Sequence, residues 1–238
     1  MPAARKTIEL PALFSEAPGD DLLPVNQQVY RVLRRAIVNG TVPPGMPLSE
    51  TDVSKQFSVS RQPVRESFIK LSEAGLVKVL PQRGTFVMKI SAKQVLDAQF
   101  IREAIETAVI RRAANCIDAN SLSRLSENLE QQTTACARRD VAEFLSLDDA
   151  FHALLAQSID CPAAWDEIEN LKAHMDRVRY LTLGEISPLD DLLAQHKALH
   201  LALSTHDEDG AVAAIHSHLQ ELKKTLLLVE QRFPDWFE

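Results

Sequence analysis

The sequence predicts a mainly α-helical protein, in which three short helices and a β-hairpin precede an all-helical antiparallel bundle. Its 238 residues are enough for two domains. Apolar residues recur three and four positions apart along most of the chain, which is the helical period. The charges divide near residue 90: residues 24–90 hold ten Lys and Arg against four Asp and Glu, whereas residues 91–238 hold fourteen against twenty-five. We therefore expect one domain over 24–90 and a second over 91–238.

The composition excludes several classes of protein. No run of about 18 apolar residues could span a membrane and no signal peptide is visible, so a cytoplasmic protein is expected. Three cysteines without CxxC spacing argue against a disulfide framework and against a thiolate zinc site.

Residues 1–23 contain three prolines and no sustained period, which predicts a flexible arm. A basic segment joined to an acidic one is typical of a head that binds a polyanion.

The first two helices are predicted from apolar spacing and from their end signals. The first begins at Val25 and ends near Ile37, because the Pro43-Pro44 pair that follows cannot continue a helix. The second begins at Ser49, whose hydroxyl can cap the free amides of the first turn, and runs to about Phe57.

The third helix follows after a tight link and carries the candidate DNA-reading residues. Ser60 is again a suitable N-cap, and the apolar positions of the helix form one inward face. Two helices joined by such a short turn form a helix-turn-helix, in which the second helix reads base edges. The side chains opposite the apolar face are Arg61, Gln62 and Arg65.

A β-hairpin completes the first domain. Leu76–Leu80 and Thr85–Met88 are predicted strands, and Pro81–Gly84 is the connection between them. At its tip Arg83 precedes Gly84, which has no Cβ, so the backbone can approach a phosphate or the minor groove. The hairpin therefore forms the wing of a winged helix-turn-helix.

Six helices are predicted after Ser91, because glycine is scarce and the three-to-four apolar spacing continues. Short polar or proline-containing breaks separate them, which favours antiparallel neighbours. The predicted helices are Val95–Cys116, Ser121–Arg138, Val141–Ser158, Pro162–Leu183, Leu189–Thr205 and Gly210–Glu230.

Four polar residues stand where this bundle requires apolar ones. Asp148 and His152 are four apart on an otherwise apolar helix face, and His196 and His218 fall at similar depth on the last two helices. Three imidazoles and a carboxylate suit Zn²⁺, or Mn²⁺ or Ni²⁺ in a more open geometry. A hydrogen-bonded His/Asp cluster without metal is the alternative. We interpret the other histidines as structural or surface residues, with His174 the first candidate exception: His174, His200, His206 and His216.

Arg102 has two interpretations. It stands four residues before Glu106, which predicts an ion pair within one helix. It could instead face the metal cavity and hold an anionic effector through two parallel hydrogen bonds.

Many fixed spacings of the first domain resemble the GntR family of winged-helix regulators. The shared stretches are Ile37-x-x-Gly40, Pro44-Gly45-x-x-Leu48-x-Glu50, Val59-Ser60-Arg61-x-Pro63-Val64-Arg65-Glu66 and Arg83-Gly84-x-x-Val87. The resemblance implies that Arg61 and Arg65 contact guanines or nearby phosphates, and that Arg83 and Gly84 enter the adjacent minor groove.

The second domain resembles the FCD ligand-binding domain that accompanies one branch of that family. The spacing Asp148-x-x-Phe151-His152, then His196 and His218, carries the likeness. The resemblance implies that Asp148 and the three histidines are metal ligands, and it points to small organic acids as effectors. Gln195 stands where the family has Glu, which alters the hydrogen bonds behind the ligands.

The predicted function is a ligand-responsive regulator, expected to be a repressor, that binds double-stranded operator DNA as a homodimer. A small carboxylate at the metal would modulate DNA affinity. The alternative is a metal-dependent hydrolase or oxygenase fused to a DNA-binding domain, but the sequence has no HExxH or GxSxG motif. An architectural DNA-binding dimer without effector would leave the buried polar residues unexplained.

Overall fold

A computed structural model describes residues 23–182 and 188–238, which form two compact units. The first unit contains the residues up to Ser91 together with Asp235–Glu238, and the second is Ala92–Pro234. The last four residues, which the sequence assigns to the second domain, thus pack with the first unit. All but the last residue of the predicted arm lie outside the described residues.

The first unit has the predicted three helices and a hairpin, with one additional short strand. The wing strands pair in antiparallel fashion, and the sheet order is β1-β3-β2. With only two residues, β1 is too short for any alternation to predict it. The elements are α1 (Val25–Val38), β1 (Pro47–Leu48), α2 (Glu50–Gln56), α3 (Arg61–Glu73), β2 (Val77–Leu80) and β3 (Gly84–Val87).

Only one of the two predicted serine caps forms. The Ser49 side chain accepts a hydrogen bond from the Asp52 amide at the start of α2. The Ser60 side chain makes no cap bond at the start of α3, so that prediction is wrong. Pro63 occupies the third position of α3 and has no amide, so it removes one of the two amides that a serine at this position can accept from.

The second unit is an all-helical bundle that encloses one large apolar cluster. Helix α4 packs against α10, α5 against α6 and α9, and α9 against α10. None of the helices in the described ranges is long and apolar enough to cross a bilayer. The elements are α4 (Ala92–Cys116), α5 (Ala119–Arg138), α6 (Val141–Ser158), α7 (Pro162–Leu171), α8 (Ala173–Thr182), α9 (Leu189–Ser204) and α10 (Glu208–Arg232).

One predicted helix is two. The continuous helix expected over Pro162–Leu183 breaks at Lys172, which ends α7, and the final predicted residue lies outside the described ranges. The Lys172 ammonium is buried and donates hydrogen bonds to the carboxylates of Asp149 and Asp176. No proline or glycine marks this break, so apolar spacing alone could not reveal it.

Candidate functional site

The predicted DNA-reading residues all lie on the surface of the first unit. Arg61, Gln62 and Arg65 are exposed along α3, and Arg83 and Gly84 are exposed where the hairpin enters β3. The Gln62 side-chain amide donates to Glu66 Oε1 at 3.0 Å. The surface therefore presents three arginines, two on the helix and one on the wing.

Glu50 is part of the family motif, but the sequence does not predict its role at this surface. From the first turn of α2, its carboxylate accepts hydrogen bonds from Arg65 Nε and Nη2 at 3.3 and 3.2 Å, and Arg61 Nη2 lies 3.5 Å away. The contact joins residues fifteen positions apart, which no helical period indicates. One carboxylate thus orients both arginines of the recognition helix.

In the second unit the four predicted metal ligands come together at one buried point. Asp148 and His152 lie on α6, His196 on α9 and His218 on α10, and all four side chains are buried. One ligand atom from each lies within 4.8 Å of the others. His152 Nε2 and His218 Nε2 are 3.2 Å apart, and His196 Nε2 is 3.6 Å from an Asp148 oxygen.

Each imidazole of the cluster is oriented by a second hydrogen bond. The Nδ1 atom of every ring faces a side-chain oxygen, and the Nε2 atom faces the other ligands. If Nδ1 carries the proton and donates it, Nε2 keeps a free lone pair for a metal. For His152, His196 and His218 the acceptors are Glu106, Gln132 and Gln195, respectively.

The unsatisfied atoms of the cluster fit a metal ion. Asp148 Oδ1 and His196 Nε2 are buried without a hydrogen-bond partner, which is costly unless another group occupies the space between them, whereas Asp148 Oδ2 is paired with Arg179. Zinc holds N and O ligands at roughly 2.0–2.2 Å, which places ligand atoms about 3–4 Å apart. The spacing and chemistry of the four side chains therefore match a divalent transition metal.

Charge and burial prepare these groups for a cation. Burial raises the pKa of Asp148, but the Arg179 guanidinium, 2.5 Å away, outweighs it and holds that pKa well below the usual aspartate range. Burial lowers the pKa of His196 to about 3. Burial, followed by the neighbouring His196, also lowers the pKa of His218 well below its usual value. An ionised carboxylate therefore faces imidazoles that favour the neutral, metal-binding form.

Arg102 combines features of both interpretations. Its Nε donates to Glu106 Oε1 at 2.5 Å, which is the predicted ion pair within α4. Burial raises the pKa of Glu106, but Arg102 and His152 outweigh it and bring the pKa to about 2. The Arg102 Nη2 atom is buried without a hydrogen-bond partner. Arg102 also lines a cavity of about 40 Å³ together with Arg179 and His218.

A buried ion network beside Asp148 was not predicted. Arg179 on α8 bonds both Asp148 and Asp149, and Lys172 bonds Asp149 and Asp176. Its members lie on α6, on α8 and at the break between α7 and α8, and the sequence pattern does not align them. The network anchors the ligand Asp148 to α8. The histidines interpreted as structural lie outside the cluster: His174, His200, His206 and His216.

Family models match both halves of the chain. A model described as bacterial regulatory proteins, gntR family, matches residues 25–87, and the FCD domain model matches residues 97–221. The chain is 51% identical to the HTH-type transcriptional repressor RspR of Escherichia coli strain K12 over 214 residues, covering 90% of this chain and 94% of that protein.

Solved structures show the same fold. A GntR transcriptional regulator from Rhodococcus sp. RHA1 matches with a TM-score of 0.70 and 27% identity, over 85% of this chain and 97% of that one. McbR/YncC of E. coli matches with a TM-score of 0.75 and 21% identity, over 89% of this chain and 99% of that one.

Proposed function

Since the chain belongs to the GntR family of bacterial regulatory proteins and carries an FCD domain, we propose that it is a metal-dependent repressor that releases operator DNA when it binds a small carboxylate. Membership in the family makes it a transcription regulator and not an enzyme, which excludes the hydrolase and oxygenase alternatives. The similarity to a protein named as a repressor supports repression as the mode of action.

Asp148, His152, His196 and His218 would hold the metal, with Zn²⁺ as the first candidate and Mn²⁺ or Ni²⁺ as others. The observation that carries this proposal is the pair of buried unpartnered ligand atoms, Asp148 Oδ1 and His196 Nε2. A bound divalent ion would supply a positive centre that attracts and orients an anion. The acceptors behind the histidines would keep the rings in place during metal exchange.

Arg102 would bind the effector carboxylate beside the metal. Its unpartnered nitrogen is buried, and it lines the cavity next to His218. A cavity of about 40 Å³ accommodates roughly three water-sized groups, which favours a small carboxylate with a neighbouring hydroxyl over a long or apolar ligand.

The operator complex would contain a homodimer, because one recognition helix reads too few base pairs for specificity. Helix α4 would supply the self-pairing face. Its Gln99 and Glu103 bond α10, whereas Leu96, Phe100 and Ile101 remain exposed, with Phe100 at 72%. In a two-fold antiparallel pairing centred on Ala104, Asp97 would lie opposite Arg111 of the second copy.

The metal and the effector are tested together. We expect purified protein to contain about one transition-metal ion per chain, and His196→Ala to lose it. A panel of organic acids is then titrated into Zn²⁺-loaded protein while the melting temperature is followed. The tightest ligand should be a carboxylate, and Arg102→Lys, which keeps the charge but removes the second nitrogen, should weaken it about tenfold.

Arg112→Lys is the matched control, because Arg112 is exposed on the same helix. It should leave acid binding unchanged. A tightest ligand without a carboxylate, or equal binding to metal-free His196→Ala, would contradict the proposal.

A further inference from the structure

The last four residues of the chain are built into the first unit, although α10, which precedes them, belongs to the second. The Ile90 amide donates to the Trp236 carbonyl at 2.7 Å, and the Glu238 amide donates to the Ile90 carbonyl at 3.1 Å. Ile90 and Phe237 therefore pair like neighbouring parallel strands. Both backbone groups of Ile90 are committed to this C-terminal tail, residues 235–238.

The side chains of the tail occupy fitted positions. Ile90 is fully buried and Phe237 is 3% exposed. The Trp236 ring lies against Gly40, where an added Cβ would be 2.6 Å from Cη2 of the ring. Gly45 has a similar positive φ, yet a Cβ there would meet nothing within 4 Å. The tail is therefore packed into the winged helix and not merely adjacent to it.

The pairing joins the two chain segments that lead to the candidate metal site. Ile90 lies two residues before α4, which carries Arg102 and Glu106, and the tail follows α10, which carries His218. The chain passes between the units once before α4 and once after α10. A shift of α10 relative to α4 would thus act on two chain segments that are hydrogen-bonded to each other inside the first unit.

We propose that Trp236 and Phe237 are positioning residues that couple the metal and effector site to the DNA-reading surface. A domain joined by a single linker can rotate about that linker. A domain joined by two chain segments that are hydrogen-bonded to each other is disturbed when those segments are pulled apart. The tail supplies the second point. This inference rests on the proposed metal and effector function, since allostery requires that occupancy changes the relative stability of two arrangements.

The test compares Trp236→Ala, Trp236→Phe and wild type, all at full length. DNA affinity is measured for Zn²⁺-loaded and metal-stripped protein on a duplex selected by the wild type from a random pool. Hydrogen exchange of residues 84–91 is followed on Zn²⁺ addition. In wild type the ratio of the DNA affinities of Zn²⁺-loaded and metal-stripped protein should differ from one by several-fold to about a hundredfold. In Trp236→Ala the ratio should fall to about one, with Zn²⁺ still bound, while Trp236→Phe retains the wild-type ratio.

Two glycine substitutions separate the tail contact from general backbone strain. Gly40→Ala and Gly45→Ala both place a side chain at positive φ, but only the first one meets Trp236. Gly40→Ala should reduce coupling and Gly45→Ala should not. Combining Gly40→Ala with Trp236→Ala should cost less stability than the sum of the two changes, because the clash is gone.

The outcomes are distinct. Normal Zn²⁺ coupling in Trp236→Ala would overturn the role of the tail and leave the proposed function intact. If neither the DNA affinity nor the hydrogen exchange of the wild type changes on Zn²⁺ addition, the tail proposal is also overturned. If the wild type does not bind Zn²⁺ at all, the proposed function itself is overturned.

Discussion

At the scale of single residues, contacts between distant positions decide what the sequence could predict. Asp148 and His152 share a helix face, so their spacing indicates a common site, and the structure brings His196 and His218 to them. The contacts of Glu50 and Arg179 were not predicted, because their partners lie on other helices. Patterns within one helix are visible in sequence, whereas partners between helices depend on packing that only the fold supplies.

The contacts of Glu50 with the two arginines predict that replacing Glu50 changes DNA specificity. Its carboxylate holds Arg61 and Arg65 and also repels phosphates. In Glu50→Gln the arginines lose their fixed partner, so affinity for random-sequence DNA should rise roughly threefold to tenfold, while discrimination in favour of the selected site falls. Fluorescence anisotropy with both duplexes measures the two effects.

Asp52→Asn is the control for Glu50, since Asp52 lies on the same helix and its carboxylate is not bonded to either arginine. Asp52→Asn removes one negative charge, as Glu50→Gln does, but leaves the contacts of Glu50 with Arg61 and Arg65 in place. Equal changes in the two variants would mean that charge alone, and not orientation of the arginines, explains the result.

At the scale of elements, strong apolar periodicity predicted the main elements correctly, but it could not predict a very short strand or a break within a helix. The helix-turn-helix, the wing and the helical bundle were predicted, and the fold class is confirmed. The two-residue strand β1 and the break at Lys172 were not. Both depend on contacts with other elements: β1 pairs with β3, and Lys172 bonds carboxylates on two helices.

The exposed face of α4 predicts how the dimer can be disrupted. Phe100→Glu would place a charge within the proposed self-pairing face, one helical turn from its centre at Ala104, where it would be desolvated. We expect a monomer at micromolar concentration and a loss of operator affinity of at least tenfold, measured by sedimentation and by DNA titration. Leu201→Glu, at a leucine of similar exposure on α9, should remain dimeric. A dimeric Phe100→Glu protein would place the interface elsewhere.

At the scale of the whole molecule, the division of charge predicts the salt dependence of DNA binding. The positive excess lies in residues 24–90 and the negative excess in residues 91–238. Arg83→Gln should weaken binding to all duplexes alike and reduce the slope of log affinity against log salt by about one. Lys224→Gln, an exposed cation of the second unit, should leave the slope unchanged. A reduced slope for Lys224→Gln would contradict the confinement of DNA contact to the first unit.

The packing of residues 235–238 in the first unit also has a consequence for biosynthesis. Domains fold in the order in which they leave the ribosome, so the winged helix forms early. The partner of Ile90, residues 235–238, is synthesised only after helices α4 to α10. The DNA-reading half of a nascent chain is therefore unfinished until the whole bundle has been translated. A chain truncated before Asp235 would present operator DNA with a winged helix that lacks the segment bonded to Ile90.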